Sequence, residues 1–464
     1  MKYRVLVVLT LLLLAGCAVG PNYSRPEVPT PDSFREVQGW KPAQPADLAP
    51  RGKWWELFGI ADLNGIIEQV DVNNQNLRAA EARFRQSQAL TRSSRAALFP
   101  TLSASVSSTR SRQRGADETG KNNSASLSAG WEVDVWGKLR RDLESSQASA
   151  QASAADLASL RLSLQAELAA NYFAIRINDA QRELLDDSIT AFEKSMELTN
   201  NRYKAGVASR ADLVQAEAQL RSTQAQALDL DVQRAQLEHA IAILIGKPPG
   251  GFSLPRKTIT AVLPAIPPGV PSALLERRPD IAAAERRVAS ANAEIGVARA
   301  AWFPSLTLSA QGGYASSSVA DWISAPNRFW SLGPSLALSV LDFGRRGAVV
   351  DSAVASYDAS VATYRQTVLE AFGEVEDNLA ALRILAEEAK VQAEAVRAAR
   401  ESVALTTNQY KAGTVSYLNV VTVQTTQLAN ERSALSLLGR QLNAAVLLIR
   451  ALGGGWEASQ LPAS

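Results

Sequence analysis

The chain has 464 residues, enough for two or three domains, and 48 Lys+Arg against 46 Asp+Glu give a formal net charge of +2. That balance, with no basic stripe interleaved with aromatics, removes any charge argument for a nucleic-acid partner. One Cys and one His leave little equipment for metal, cofactor or nucleophile chemistry, while 6% aromatics with plentiful Ala, Ser, Leu and Gln favours long helices over a conventional α/β core.

The chain opens with a basic start (Lys2, Arg4) and an apolar run from Val5 to Leu14. The run is too short to span a bilayer permanently, so residues 1–16 read as a secretory signal. Leu14-Ala15-Gly16-Cys17 resembles a bacterial lipobox and holds the only Cys in the chain. This implies cleavage before Cys17, acylation of its thiol and, with Ala18 rather than Asp next to it, sorting to the outer membrane. Residues 17–53 are rich in Pro (Pro21, Pro26, Pro29, Pro31, Pro42, Pro45, Pro50) and read as an extended strap from the lipid to the body.

Residues 54–246 carry a run of elements. Trp54 and Trp55 pack the start of a helical pattern that runs from Asp62 to about Leu98, where Phe99-Pro100 stops it. Alternation follows over Leu102, Ala104 and Val106. After a polar loop, Arg110 to Asn123, it returns over Ala125, Leu127, Ala129, Trp131, Val133 and Val135, with small polar residues between. Period two with one apolar face fits a membrane β-strand over a wet lumen, and equally a half-buried soluble hairpin. From Lys138 to Ala205 there are 68 residues without Gly or Pro. A helix of that length reaches about 100 Å and has to be packed along its side by others of its kind. Gly206 stops it, Ser209 or Asp212 caps the next helix, and that helix runs to about Ile245.

Residues 247–271 form a Pro/Gly-rich connector, and residues 272–452 then repeat the first half, before a tail over 453–464. Leu77–Arg83 matches Ile281–Arg287, and Phe99-Pro100 matches Phe303-Pro304, both at an offset of 204. Gly137 matches Gly344 at 207, and Tyr203-Lys204-Ala205-Gly206 returns at that offset as Tyr410-Lys411-Ala412-Gly413, with Ser416 matching Ser209. Each half is helix, two strands, long helix, tight turn, helix. Four strands cannot close a barrel and open edges are not tolerated in lipid, so the chain has to share a barrel with copies of itself; three chains give twelve strands. The expected fold is therefore a membrane β-barrel joined to a long α-helical barrel, a trimer of two-repeat protomers.

These residues resemble the outer-membrane factors of tripartite efflux and type I secretion, the TolC/OprM/NodT type. The most specific stretch is Leu263 to Ile281, with Leu274-Leu275-Glu276-Arg277-Arg278-Pro279-Asp280 at its end; Gly20-Pro21-Asn22-Tyr23, Trp54-Trp55 and Phe58 fit the lipoprotein branch. The resemblance covers essentially all of the mature chain. It implies a homotrimeric exit duct, with a periplasmic adaptor protein and an inner-membrane pump of RND or ABC type as partners. It also implies that the turns around Tyr203, Gly206 and Ser209 and around Tyr410, Gly413 and Ser416 are the periplasmic tips that meet the adaptor and close the pore. Family members often carry Asp after the second tip. Here Asn419 and Thr422 stand there, so a cation-selective acidic ring is not expected, and Asp212 is the nearest carboxylate for lining the aperture.

An enzyme is disfavoured: His239 is alone, and no phosphate loop or nucleophile elbow is present. A periplasmic adaptor needs one helical hairpin between soluble β domains, a structural tether explains the rods but not the strands, and a stand-alone outer-membrane channel is the remaining rival.

Overall fold

The computed structural model describes residues 18–37, 52–112, 119–259, 263, 264, 266 and 271–462. The signal segment, Cys17 and the strap beyond Val37 lie outside the described residues. The elements are α1 (Ala61–Asn73), α2 (Gln75–Ala96), β1 (Thr101–Ser111), β2 (Gly120–Val133), α3 (Lys138–Lys204), α4 (Arg210–Leu244), the short α5 (Leu274–Arg277), α6 (Pro279–Ala300), β3 (Ser305–Ser316), β4 (Arg328–Ala337), α7 (Arg345–Lys411) and α8 (Tyr417–Ala451).

Two 67-residue helices, α3 and α7, set the long dimension. At the middle of the molecule α3 buries Leu164, Leu168, Tyr172, Phe173 and Ile175 against Trp54, Trp55 and Phe58, with the Phe58 and Phe173 rings 4.9 Å apart. Beyond the core the two helices run out to the strands at one end and to tight turns at the other. No helix among the described residues is long and apolar enough to cross a membrane.

The helical pattern from Asp62 is broken where one helix was expected. Asn74 is extended (ψ 125°), its side chain accepts from Leu77 N at 3.0 Å and donates to Leu244 O at 2.8 Å, so α1 ends and α2 is capped anew. An Asn that satisfies both a fresh helix start and an orphan helix-end carbonyl stabilises a kink that composition alone does not flag. The second repeat solves the same corner differently: Arg278, extended before Pro279, donates to Ala451 O at 3.1 Å, and Ala451 is the counterpart of Leu244. Gly246 and Gly453 both turn with positive φ, and a Cβ there would lie 2.3 Å from Asn73 O and 2.1 Å from Arg277 O respectively. The two repeats therefore share backbone packing at this corner although the side chains differ.

The strands form one antiparallel sheet in the order β1-β2-β3-β4. They reach further than the alternation indicated: β1 runs to Ser111 and β2 starts at Gly120, so the polar loop is shorter, and Arg110 pairs with Lys121. Leu102, Val106, Leu127, Trp330, Leu332 and Leu336 stand exposed on the sheet. Trp131 and Trp136 donate to Leu98 O and Pro304 O, anchoring the sheet to the helices beneath it.

The described part of the strap lies on the body. Val19 N donates to Trp136 O at 2.9 Å at the foot of the sheet; Asn292 then holds Pro21 O, Tyr23 meets Glu285, and Glu376 on α7 accepts from Arg35 N and Glu36 N. The connector is pinned by a buried network. Asp179 accepts from Arg176 (3.2 Å) and Arg234 (2.7 Å), and those guanidiniums donate to Pro255 O and Leu254 O.

Candidate functional site: the two tip turns

Both long helices end in the same backbone device. Ala205 N and Ala412 N bond back to Asn201 O and Asn408 O, and Gly206 and Gly413 then turn with φ of 74° and 80°. An L side chain is strained there, which is why Gly stands at both positions. The structure brings Tyr203, Gly206, Ser209 and Asp212 together on the first turn, and Tyr410, Gly413, Ser416, Asn419 and Thr422 on the second.

The first turn is fastened locally. Ser209 Oγ accepts from Asp212 N at 3.1 Å while the Asp212 carboxylate accepts from Ser209 N at 2.9 Å, a complete capping box. Asp212 thus spends its carboxylate on its own helix start. Its counterpart in the second repeat is Asn419, and no such box forms: Ser416 Oγ lies 3.4 Å from the Asn419 side-chain oxygen and makes no cap.

The second turn is fastened by the first repeat. Arg202 Nη1 donates to Tyr410 O at 2.9 Å, and its guanidinium lies over the Tyr410 ring, 4.6 Å from the centroid. Tyr410 contacts Tyr417 with ring centroids 5.5 Å apart, and its hydroxyl lies 3.4 Å from Thr199 Oγ1. Ala216, Val420 and Val421 complete this buried cluster. Burial pushes the Tyr417 hydroxyl above its ordinary pKa, with Tyr410 and Asp212 adding to the shift and a bond from Ser195 opposing it. Tyr203 takes no part and is exposed.

Arg202, Thr199 and Tyr417 are absent from the sequence-derived site. The signal was available for Arg202: it aligns with Gln409 in the second repeat, so the two tips differ where they otherwise agree. Along α8 an open groove of about 510 Å³ is lined by Leu418, Val421, Thr422, Thr425, Thr426 and Asn430, facing Gln215 of α4. Thr422 lies in it, Asn419 is exposed beside it, and from Ala412 to Asn430 there is no charged side chain. This surface offers hydroxyls and amides along a wall and no group placed for acid–base work.

The profile of the outer membrane efflux protein family matches residues 66–247 and 270–454, one segment for each repeat. The chain is 31% identical to the probable efflux pump outer membrane protein TtgC of Pseudomonas putida, over 96% of this chain and 94% of that one. It is 31% identical to the pyoverdine export outer membrane protein OpmQ of Pseudomonas aeruginosa, over 97% and 96%. Among solved structures, the outer-membrane channel OprN superposes with a TM-score of 0.88 at 30% identity, covering 95% of this chain and all of that one. The chain belongs to the outer membrane efflux protein family.

Proposed function

We propose that three copies of this outer-membrane efflux protein close into one duct that conducts solute passively and performs no catalysis. The observation that carries the reading is the pairing of opposite ends on one chain. At one end is a four-stranded sheet with apolar faces and two open edges; at the other, 67-residue helices converge on two tip turns. Open edges are not viable in lipid, so the sheet needs neighbours to become a barrel.

In this reading a periplasmic adaptor seats on the tips around Gly206, Ser209, Gly413 and Ser416, and an inner-membrane pump of RND or ABC type supplies both cargo and energy. The tips part in an iris-like movement and solute leaves through twelve strands. Acylated Cys17 adds a lipid anchor. Ala18, the next residue, lies at the foot of the sheet, where an inner-leaflet anchor is needed. The uncharged wall around Asn419 and Thr422 does not sort cargo by charge, so the choice of cargo falls to the pump.

The test is crosslinking in living cells. Ser209→Cys and Ser416→Cys variants, treated with a bifunctional thiol reagent, are expected to capture a periplasmic adaptor identified by mass spectrometry. Correctly inserted protein that captures neither adaptor nor pump points instead to a stand-alone channel.

A further inference from the structure

The four strands carry three cations and one carboxylate, and the cations are placed where charge is least expected. Glu132 stands on the polar face of β2, near the helices, and pairs with Lys138 at 3.3 Å. Arg110, Lys121 and Arg328 all lie at the opposite end, next to the loops, and all share the face of the apolar residues. Arg110 follows Leu102 and Val106 at even spacing, Lys121 precedes Leu127, and Arg328 precedes Trp330 and Leu332. The polar face of the same strands, rich in Ser, carries none of the three.

The internal repeat singles out one pair. The offsets of 204 and 207 residues map Arg110 onto Tyr314 and Lys121 onto Arg328. Tyr314 and Arg328 are register partners, as are Arg110 and Lys121. A cation beside an aromatic is an ordinary arrangement at a membrane surface. Two cations opposite one another are not: their Cβ atoms stand roughly 5 Å apart and the charges repel. Both residues are exposed, and among the described residues neither meets a carboxylate. The row beneath them is uncharged and bonded to itself. Ser108 donates to Asn123 Oδ1 at 2.8 Å, and Asn123 donates to Ser316 O at 3.2 Å.

Height decides what the pair faces. From Val133 to Ala125 the apolar face of β2 covers about 27 Å along the strand, or about 21 Å of height at a tilt of about 40°. Lys121 stands about 31 Å above Val133, just past the edge of an apolar band about 25 Å tall and so level with lipid headgroups. The helices and the strap lie at the foot of the sheet, where Val19 bonds to Trp136, so the loop end belongs to the outer leaflet.

We propose that Arg110 and Lys121 clamp a phosphate of an outer-leaflet glycolipid, a diphosphorylated glucosamine lipid of the lipid A kind. A phosphate between them turns a repulsive pair into charge-assisted bonds: the guanidinium takes two oxygens in a fork and the ammonium a third. The acyl chains then run down the apolar face over Val106 and Ala125, which is why the occupant is a lipid and not a free anion. The inference rests on the outer-membrane placement of the sheet. The site lies within one chain, so it holds whatever the number of copies around the barrel.

The test titrates full-length protein in detergent with diphosphoryl lipid A and follows binding by native mass spectrometry. EDTA is present, so that divalent ions do not bridge phosphates to carboxylates. Arg110→Gln/Lys121→Gln should weaken binding roughly thirtyfold, at about fivefold for each cation beside an anionic lipid surface. Arg328→Gln, which takes a cation from beside an aromatic, should weaken it by at most about fivefold. Lys121→Glu separates binding from folding. It sets opposite charges across the pair, so thermal stability should hold or rise while lipid A affinity falls as far as in the double variant. Lipid A stripped of its phosphates should bind the native protein weakly, and millimolar inorganic phosphate should not displace the intact lipid. Equal lipid A affinity in the native protein and both Lys121 variants overturns the clamp. Tight binding of the stripped lipid overturns phosphate recognition, and displacement by inorganic phosphate overturns the lipid in favour of a free anion.

Discussion

The two tip turns share a sequence, a glycine geometry and a place in the repeat, yet they are held by different physics. The first is closed by its own capping box, Ser209 with Asp212, and stands exposed with Arg210, Asp212, Glu217 and Arg221 around it. The second has no capping box and no charge from Ala412 to Asn430, and it is held from outside by Arg202 and the buried tyrosines. Both turns make the same local backbone bonds; the first adds a side-chain lock of its own, the second a lock supplied by its neighbour. Beyond the backbone bonds that both turns share, the second tip relies on the Arg202 clasp and the buried tyrosines, so it is the tip that loss of a tertiary contact should loosen more.

Arg202→Ala is therefore the sharpest way to break the comparison. It removes a charge-assisted bond to a helix-end carbonyl and a cation–π contact, together about 2–4 kcal/mol. Single-channel conductance should rise, and cells should become sensitive to bulky antibiotics that the closed duct excludes. Gln409→Ala, at the equivalent place in the other repeat, should change neither; equal effects would mean that the clasp is not what separates the tips. The glycines supply the control on shared geometry. Gly206→Ala and Gly413→Ala each force a Cβ into the left-handed region, at about 1–2 kcal/mol. Nothing within 4 Å opposes a Cβ at Gly206, and only the Arg202 guanidinium, at 3.9 Å, lies near one at Gly413. Thermal unfolding should therefore show two similar losses.

The capping box can be moved from one tip to the other. Asp212→Asn should weaken the first tip by about 1 kcal/mol, and Asn419→Asp should create the missing box at Ser416 by a similar amount. Amide hydrogen exchange at Ser209 should quicken in the first variant. Exchange at Ser416 should slow about fivefold in the second, with a fall in open-channel events. Slower exchange without any change in gating would show that local order at the second tip does not control the aperture.

Much of this architecture was legible in the sequence because it is written as periodicity and repetition. A Gly- and Pro-free run becomes α3, alternation becomes strands, and Gly206 and Gly413 mark the turns. What was not legible is what depends on two distant segments meeting. The break at Asn74 is a bond to Leu244 O, 170 residues away. The Arg202 clasp reaches Tyr410 across 208 residues; the repeat marks Arg202 as differing from Gln409, but only the fold shows which carbonyl and ring it meets. Asp212 shows the opposite case: the sequence offered Ser209 or Asp212 as the cap of the next helix, and the turn uses both, in one capping box.

Acid separates the tips from the middle of the molecule and gives the smallest effect. The connector is held partly by carboxylates. The bond from Lys257 holds Asp62 below the ordinary carboxylate pKa, outweighing a small opposing effect of burial. At Asp231 burial acts to raise the pKa, and the bonds from Arg256 and Arg182 overcome it. A group with a depressed folded pKa stabilises the fold above its unfolded value, near 4, and that stabilisation fades as pH falls through the lower folded value. Both carboxylates are partly exposed, so each contributes well under about 1 kcal/mol. Proteolytic nicking around Arg256 and Lys257 should be flat from pH 8 to 5 and rise only below about 4, and Asp62→Asn should flatten that rise. The second-tip clasp contains no carboxylate: it is a guanidinium on a carbonyl and a ring, and a guanidinium keeps its charge throughout this range. Conductance should therefore stay constant from pH 8 to 5 in both the native protein and Asp62→Asn. A rise in conductance between pH 7 and 5 would show that closure depends on a carboxylate after all, and would move the gate from Arg202 and Tyr410 to the first tip, which carries Asp212 and Glu217.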